Sequence, residues 1–181
     1  LSEVRKQWLS DQENDHPLVL YLCSPASDAW SRFALRQADL VLLLADTTEP
    51  PDLSAVELAL AEAGVVPAGQ LALALLQPAG REIEGTADWL APRQVDFHLH
   101  LRQDREQDLE RLVRLLRGRA TGLVLGAGAV RGLAELGVYR AMVEAGIPVD
   151  WVGGSSIGTI VGAAVAHDWT PEHAIDMARE S

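Results

Sequence analysis

Cysteine occurs once, at Cys23, so the chain can assemble neither an internal disulfide nor a thiolate metal centre, and a reducing compartment is the simpler setting. Long apolar runs are missing: none approaches the roughly 20 residues that span a bilayer. No apolar signal core follows Leu1-Ser2-Glu3-Val4-Arg5-Lys6. Basic residues are few, 15 against 26 acidic ones, and the net charge of −11 disfavours binding to a phosphate backbone. No G-x-x-x-x-G-K-[ST] loop is present, which removes the phosphate cradle of nucleotide hydrolysis. The chain also lacks an initiating methionine and stops at Ser181 within a helical pattern, so it is expected to be a piece of a longer protein.

What is present is a globular composition, 48% apolar and 23% charged over 181 residues, enough for one small domain and part of another. Pro17–Cys23 reads as a buried strand, and Ser27-Asp28 as the cap of a helix running to Gln37. Leu40–Ala45 is a continuous apolar run of the kind that central parallel strands show, and Leu71–Leu76 and Val95–Leu101 fit two more strands. A helix from Ser54 to Glu62 ends at Gly64, and Asp104-Arg105-Glu106-Gln107 opens another with a capping-box pattern that closes at Gly118. Strands alternating with helices imply a parallel α/β sheet. The texture changes after Gly118, dividing the chain into a module of residues 1–118 and a second of residues 119–181.

Two strand–turn–helix units fill the second module. In the first, Gly122–Leu125 is the strand, Gly126-Ala127-Gly128-Ala129-Val130-Arg131-Gly132 the turn and Leu133–Ala145 the helix. In the second, Val149–Val152 leads into Gly153-Gly154-Ser155-Ser156-Ile157-Gly158 and a helix from Ile157 to His167. Gly154-Ser155-Ser156-Ile157-Gly158 matches G-x-S-x-G between strand and helix, the context in which a serine becomes an exposed nucleophile, here Ser156. Flanking glycines remove side-chain clashes, and the helix N-terminus lends positive potential to an oxyanion beside it. Backbone amides from Gly126 to Val130 are candidates to hold that oxyanion, and Arg131 to pair with a phosphate. A glycine-rich turn that binds an anion, or nothing, is the plainer alternative. A dinucleotide site fits poorly, because the end of the following strand is Gly153-Gly154 instead of an acidic residue.

Leu123–Gly132, Glu144–Asp150 and Gly153–Gly158 together resemble the patatin-like phospholipases, and within them the neuropathy target esterase branch. The segment Leu35–Leu43 is similar to the region that precedes the lipase domain in that branch. The resemblance implies a three-layer αβα domain, truncated here, whose N-terminal part is residues 119–181, with 1–118 as an α/β linker or regulatory module. It implies a serine esterase acting on phospholipids or lysophospholipids at a membrane surface, cytoplasmic, peripheral or anchored through the parent chain, and needing no cofactor. A cyclic-nucleotide-binding domain is implied further upstream. Ser156 would be the nucleophile, Gly154, Ser155, Ile157 and Gly158 its elbow, and the turn from Gly126 through Ala127, Gly128, Ala129, Val130 and Arg131 to Gly132 the oxyanion hole. Ala127 and Ala129 stand where the family has glycine, and the dyad aspartate of a D-G-[GA] pattern does not occur after Ser156. The alternative is a catalytically silent module that binds lipid or regulates.

Three features carry less. His98 and His100 share a strand face at a spacing compatible with a metal but have no third ligand nearby. The five tryptophans serve mainly as core, and Cys23 is expected to be buried and inert.

Overall fold

The computed structural model describes residues 3–24, 28–62, 64 and 69–180, leaving aside the side chains of 60, 130, 178 and 180. The chain divides into two compact units, Leu1–Leu112 and Val113–Ser181. In the first, the apolar runs become β1 (Leu40–Asp46), β2 (Gln70–Gln77) and β3 (Phe97–Arg102). They form a parallel sheet in the order β1-β2-β3, with Leu43 opposite Leu73 and Ala74 opposite Leu99. The middle strand is the most apolar because both its faces are covered: residues 72 to 75 are fully buried, with Trp89 packed on Leu73 and Leu75. The helices of this unit are α1 (Glu3–Asp15), α2 (Ala29–Gln37), α3 (Ala55–Glu62), α4 (Thr86–Leu90) and α5 (Glu106–Leu116), which runs on into the second unit.

Pro17–Cys23 is not a strand, contrary to its apolar pattern. Pro17 withdraws an N–H from any ladder, and the segment is held by side chains instead. The Tyr21 hydroxyl donates to Glu13, the Trp30 indole N–H donates to the Leu22 carbonyl at 2.9 Å, and the two rings meet edge to face. Leu22 is left 89% exposed, and Cys23 is exposed, not buried. Asp28 caps α2 by accepting from the Ser31 N–H at 2.7 Å; Ser27 and Pro25 lie outside the described residues.

A capping box opens α3: Ser54 N–H donates to Glu57, and Glu57 N–H to Ser54 Oγ. Glu57 is also bound by Arg93, whose buried guanidinium reaches Glu57 Oε1 through Nε, Glu57 Oε2 and the Asp52 carbonyl through Nη2, and the Pro51 and Trp89 carbonyls through Nη1. Asp104 accepts from Gly80 N–H, and α5 begins beyond it, at Glu106. Asp108 is buried; that raises its carboxyl's pKa, but the Arg102 guanidinium and N–H outweigh burial and hold it below the usual carboxylate value.

His98 and His100 meet edge to face, and both nitrogens of His100 are engaged. Nδ1 faces Gln77 Nε2 at 3.1 Å and Nε2 faces Thr86 Oγ1 at 3.3 Å. With the Gln77 amide N–H turned to Nδ1, that nitrogen accepts, and the neutral ring carries its proton on Nε2. Burial, and then the His98 and Arg102 charges, push the His100 pKa below 6.5, while Asp108 pulls the other way. The folded state therefore binds its proton less readily than the unfolded state, so the contribution is present above pH 6.5 and is lost as pH falls through the folded value. Urea unfolding of the wild type from pH 7.5 to 5 should show a falling midpoint, and H100Q should flatten that slope.

The second unit has two parallel strands, β4 (Gly122–Leu125) and β5 (Trp151–Gly154), with Leu125 opposite Gly154. α6 (Ala134–Glu144), α7 (Ile157–Ala166) and α8 (Pro171–Glu180) bury Leu125, Leu136, Val161, Ala164 and Ala174 against Leu123 and Val152. The architecture of both units is α/β, with parallel strands and flanking helices.

Candidate active site

The parallel pairing of β4 and β5 brings their C-terminal ends side by side, so the two glycine-rich turns leave the sheet together. They are fastened at their base: Ser155 N–H donates to the Leu125 carbonyl at 3.1 Å. The glycines let them touch. A Cβ on Gly158 would stand 2.6 Å from Leu125 O and 2.7 Å from Gly126 O, and one on Gly132 would stand 2.1 Å from Ile157 Cγ2. On Gly154 it would meet Gly158 O at 2.3 Å. Gly132, Ile157 and Gly158 thus form the contact between the turns, and Gly154 gives room within the second turn.

Ser156 stands at the crest of the second turn, as the N-cap of α7, with φ 55° and ψ −123°. An L-residue avoids this backbone conformation, at a cost of about 1–3 kcal/mol. Its side chain is exposed and makes no capping bond to α7. Main-chain bonds hold the strain in place: Gly158 N–H donates to Ser155 O and Thr159 N–H to Ser156 O.

The first turn passes through Ala127 and Gly128 into a 3-10 segment, Ala129–Leu133, whose first closing bond is Arg131 N–H to Gly128 O at 3.0 Å. Of the two alanines that replace the expected glycines, only Ala129 has a left-handed backbone, φ 48°. Ala129→Gly should raise unfolding stability by about 1 kcal/mol by removing the Cβ penalty, read as a higher urea midpoint. Arg131 is exposed. The Gly126 N–H already has an acceptor, Glu135 Oε1 at 2.7 Å, and the other oxygen, Oε2, is buried with no partner among the described residues. The amides of Ala127, Gly128 and Ala129 have no acceptor among those residues, which leaves them available to an anion. Glu135 escapes the sequence because a glutamate in the first turn of a helix reads as a solvated charge complementing the dipole.

Two carboxylates that follow Ser156 in the sequence are to be weighed as partners of its hydroxyl. Asp168 lies past the far end of α7, whose ten residues span ~15 Å, and Asp176 is exposed on α8 and pairs with Arg179. Asp150 is fully committed at the start of β5: its buried carboxylate takes Arg114 Nη2 at 2.7 Å and Thr121 N–H at 2.9 Å. It is unavailable to a ribose. Among the described residues no group of three or more His, Cys, Asp or Glu could hold a metal ion, and no helix is long and apolar enough to cross a membrane.

Residues 3–121 match the family model described as the Neuropathy Target Esterase family P-loop like domain, and residues 123–181 match that of the patatin-like phospholipases. Patatin-like phospholipase domain-containing protein 6 of Homo sapiens is 35% identical over 199 residues, 96% of this chain and 14% of the human protein. Patatin-like phospholipase domain-containing protein 7 of Rattus norvegicus is 35% identical over 187 residues, 89% of this chain and 14% of its own length. Lysophospholipase NTE1 of Yarrowia lipolytica is 28% identical over 216 residues, 90% of this chain and 15% of the yeast protein. The chain therefore spans about one seventh of the length of these curated relatives. No solved structure matches it.

Proposed function

Because the chain belongs to the neuropathy target esterase branch of the patatin-like phospholipases, we propose that it carries the nucleophile of a serine esterase that cleaves carboxylic-ester bonds of phospholipids or lysophospholipids. The observation that carries this reading is Ser156, a side-chain-bearing residue held at φ 55° on a strand-to-helix turn. Strain of this kind persists where it serves chemistry, because it lifts the hydroxyl clear of the sheet.

Ser156 Oγ attacks the acyl carbonyl and its proton passes to a carboxylate base. That base is an aspartate supplied beyond residue 181, as the family's D-G-[GA] pattern implies, so residues 1–181 alone are inactive. The carbonyl oxygen becomes an oxyanion, received by the free amides of Ala127, Gly128 and Ala129 and by that of Ile157, the residue after the nucleophile. Collapse expels the lyso-lipid or glycerol-phosphate alcohol with a proton from the base. Water then cleaves the acyl-enzyme, releasing the fatty acid. Neither metal nor organic cofactor takes part. The work is done on the cytoplasmic side, at a membrane surface reached through the rest of the protein, and residues 1–118 serve as a linker or regulatory module, with any cyclic-nucleotide-binding domain further upstream.

A fluorophosphonate probe tests the reading on the complete protein, since it reports an activated serine without needing the correct lipid. Labelling that vanishes in Ser156→Ala supports it. A folded protein that takes no label overturns it in favour of a catalytically silent lipid-binding or regulatory module, a reading favoured by the alanine at the left-handed position 129.

A further inference from the structure

The Leu125–Gly126 peptide is gripped from both sides. On its carbonyl side Leu125 O takes the Ser155 N–H, and both Leu125 O and Gly126 O lie against the α-carbon of Gly158, two residues past the nucleophile. On its amide side Gly126 N–H donates to Glu135, which reaches back from the first turn of α6. The excursion from 126 to 135 is thereby closed at its base by one side chain.

We infer that Glu135 is a positioning residue of this active site: its carboxylate clamps the Gly126 amide, fixes the first glycine-rich turn against the turn that bears Ser156, and makes Ala127 the first amide free for the oxyanion. The inference rests on the esterase reading. It differs from the pattern expected from sequence, in which Gly126 itself is a donor. The geometry argues for a clamp. Glu135 Oε1 sits at 2.7 Å from the amide, at the short end of the N–H···O range, and α6 is anchored by buried Leu136 and Tyr139 on the same helix. The role requires an acceptor oxygen, not a negative charge: Oε2 has no donor among the described residues and contributes no bond to the turn. Glutamine, with one carbonyl oxygen in the same place, should therefore substitute.

The test measures fluorophosphonate acylation of Ser156 in the complete protein, separating the maximal acylation rate from the probe's half-saturating concentration. Gly126 amide hydrogen exchange is followed in parallel, as a readout independent of chemistry. For E135A, the expected result is a maximal rate lower by on the order of 10- to 100-fold, with the half-saturating concentration little changed and Gly126 exchange accelerated. E135Q should lie within a few-fold of wild type in all three. An E135A protein that acylates as fast as wild type or faster overturns the inference and leaves the esterase reading standing. So does an E135Q protein as slow as E135A, because the charge would then be what matters. A wild-type protein that takes no label overturns the esterase reading, and with it the catalytic role of the clamp; unchanged Gly126 exchange in E135A overturns the clamp itself.

Discussion

Replacing Ser156 is expected to cost activity and to leave stability unharmed, in a way that depends on the replacement. Ser156→Ala removes the attacking oxygen, and lipid hydrolysis by the complete protein should fall by a factor on the order of 10⁴ or more. Alanine still carries a Cβ at φ 55°, so the backbone strain remains and the unfolding midpoint should move little. Ser156→Gly is equally inactive, but glycine accepts the positive φ without cost. It should therefore stabilise the protein, by about 1 kcal/mol out of the roughly 1–3 kcal/mol that such a conformation stores. Activity assays together with urea unfolding of the two variants check this. A Ser156→Gly protein no more stable than Ser156→Ala would show that the turn is not strained.

The second large effect belongs to a residue remote from the chemistry. Asp150 has no exposed side-chain surface and receives Arg114 through both Nε and Nη2. Its carboxylate also takes the Thr121 N–H, while its own N–H donates to Thr121 O at 2.8 Å. Together these bonds set β5 beside β4 one residue before the pairing of Gly122 with Trp151 begins. Asp150→Ala leaves the half-buried guanidinium without this carboxylate and the Thr121 amide without its acceptor. Breaking one side of a buried ion pair typically costs about 3–5 kcal/mol, against a total stability of only about 5–15 kcal/mol. Hydrogen exchange should accelerate throughout β4 and β5 in the variant, and Ser156 labelling should fall with it, because β5 leads directly into the nucleophile turn. Asp150→Asn, which keeps the shape and one acceptor for Thr121, should fall between the two.

The strands were legible where the run is apolar at every position, even in β1, whose Leu44 is 63% exposed. Leu40–Ala45 and Leu71–Leu76 need no partner information to be read as strands, since a run apolar on both faces has few other places to go. Pro17–Cys23 has the same local texture, and what it lacks, a neighbouring ladder, is a property of the tertiary structure. The strand-to-helix turn at Ser156 was legible because G-x-S-x-G encodes a steric demand, and the distances at Gly154 and Gly158 show where that demand comes from. The demand at position 129 was only half visible: the sequence marked both Ala127 and Ala129, while the backbone alone shows which one is left-handed. Glu135 was silent because its partner is a main-chain amide, which no residue pattern records, and Asp150 because its partners, the Thr121 amide and the Arg114 guanidinium, lie 29 and 36 residues away along the chain.

Arg93 bears on which exchanges this chain tolerates. Its planar fork serves one carboxylate and three carbonyls, on Pro51, Asp52, Glu57 and Trp89, and every one of its five N–H directions has a use. A lysine at this position would offer three donors radiating from a single point, which cannot face acceptors spread along the edge of a plane. Charge would be conserved, yet at least two main-chain carbonyls would be left without a donor beneath the Pro50-Pro51 bend. By ordinary substitution rules arginine to lysine is a mild change; at residue 93 it is a drastic one.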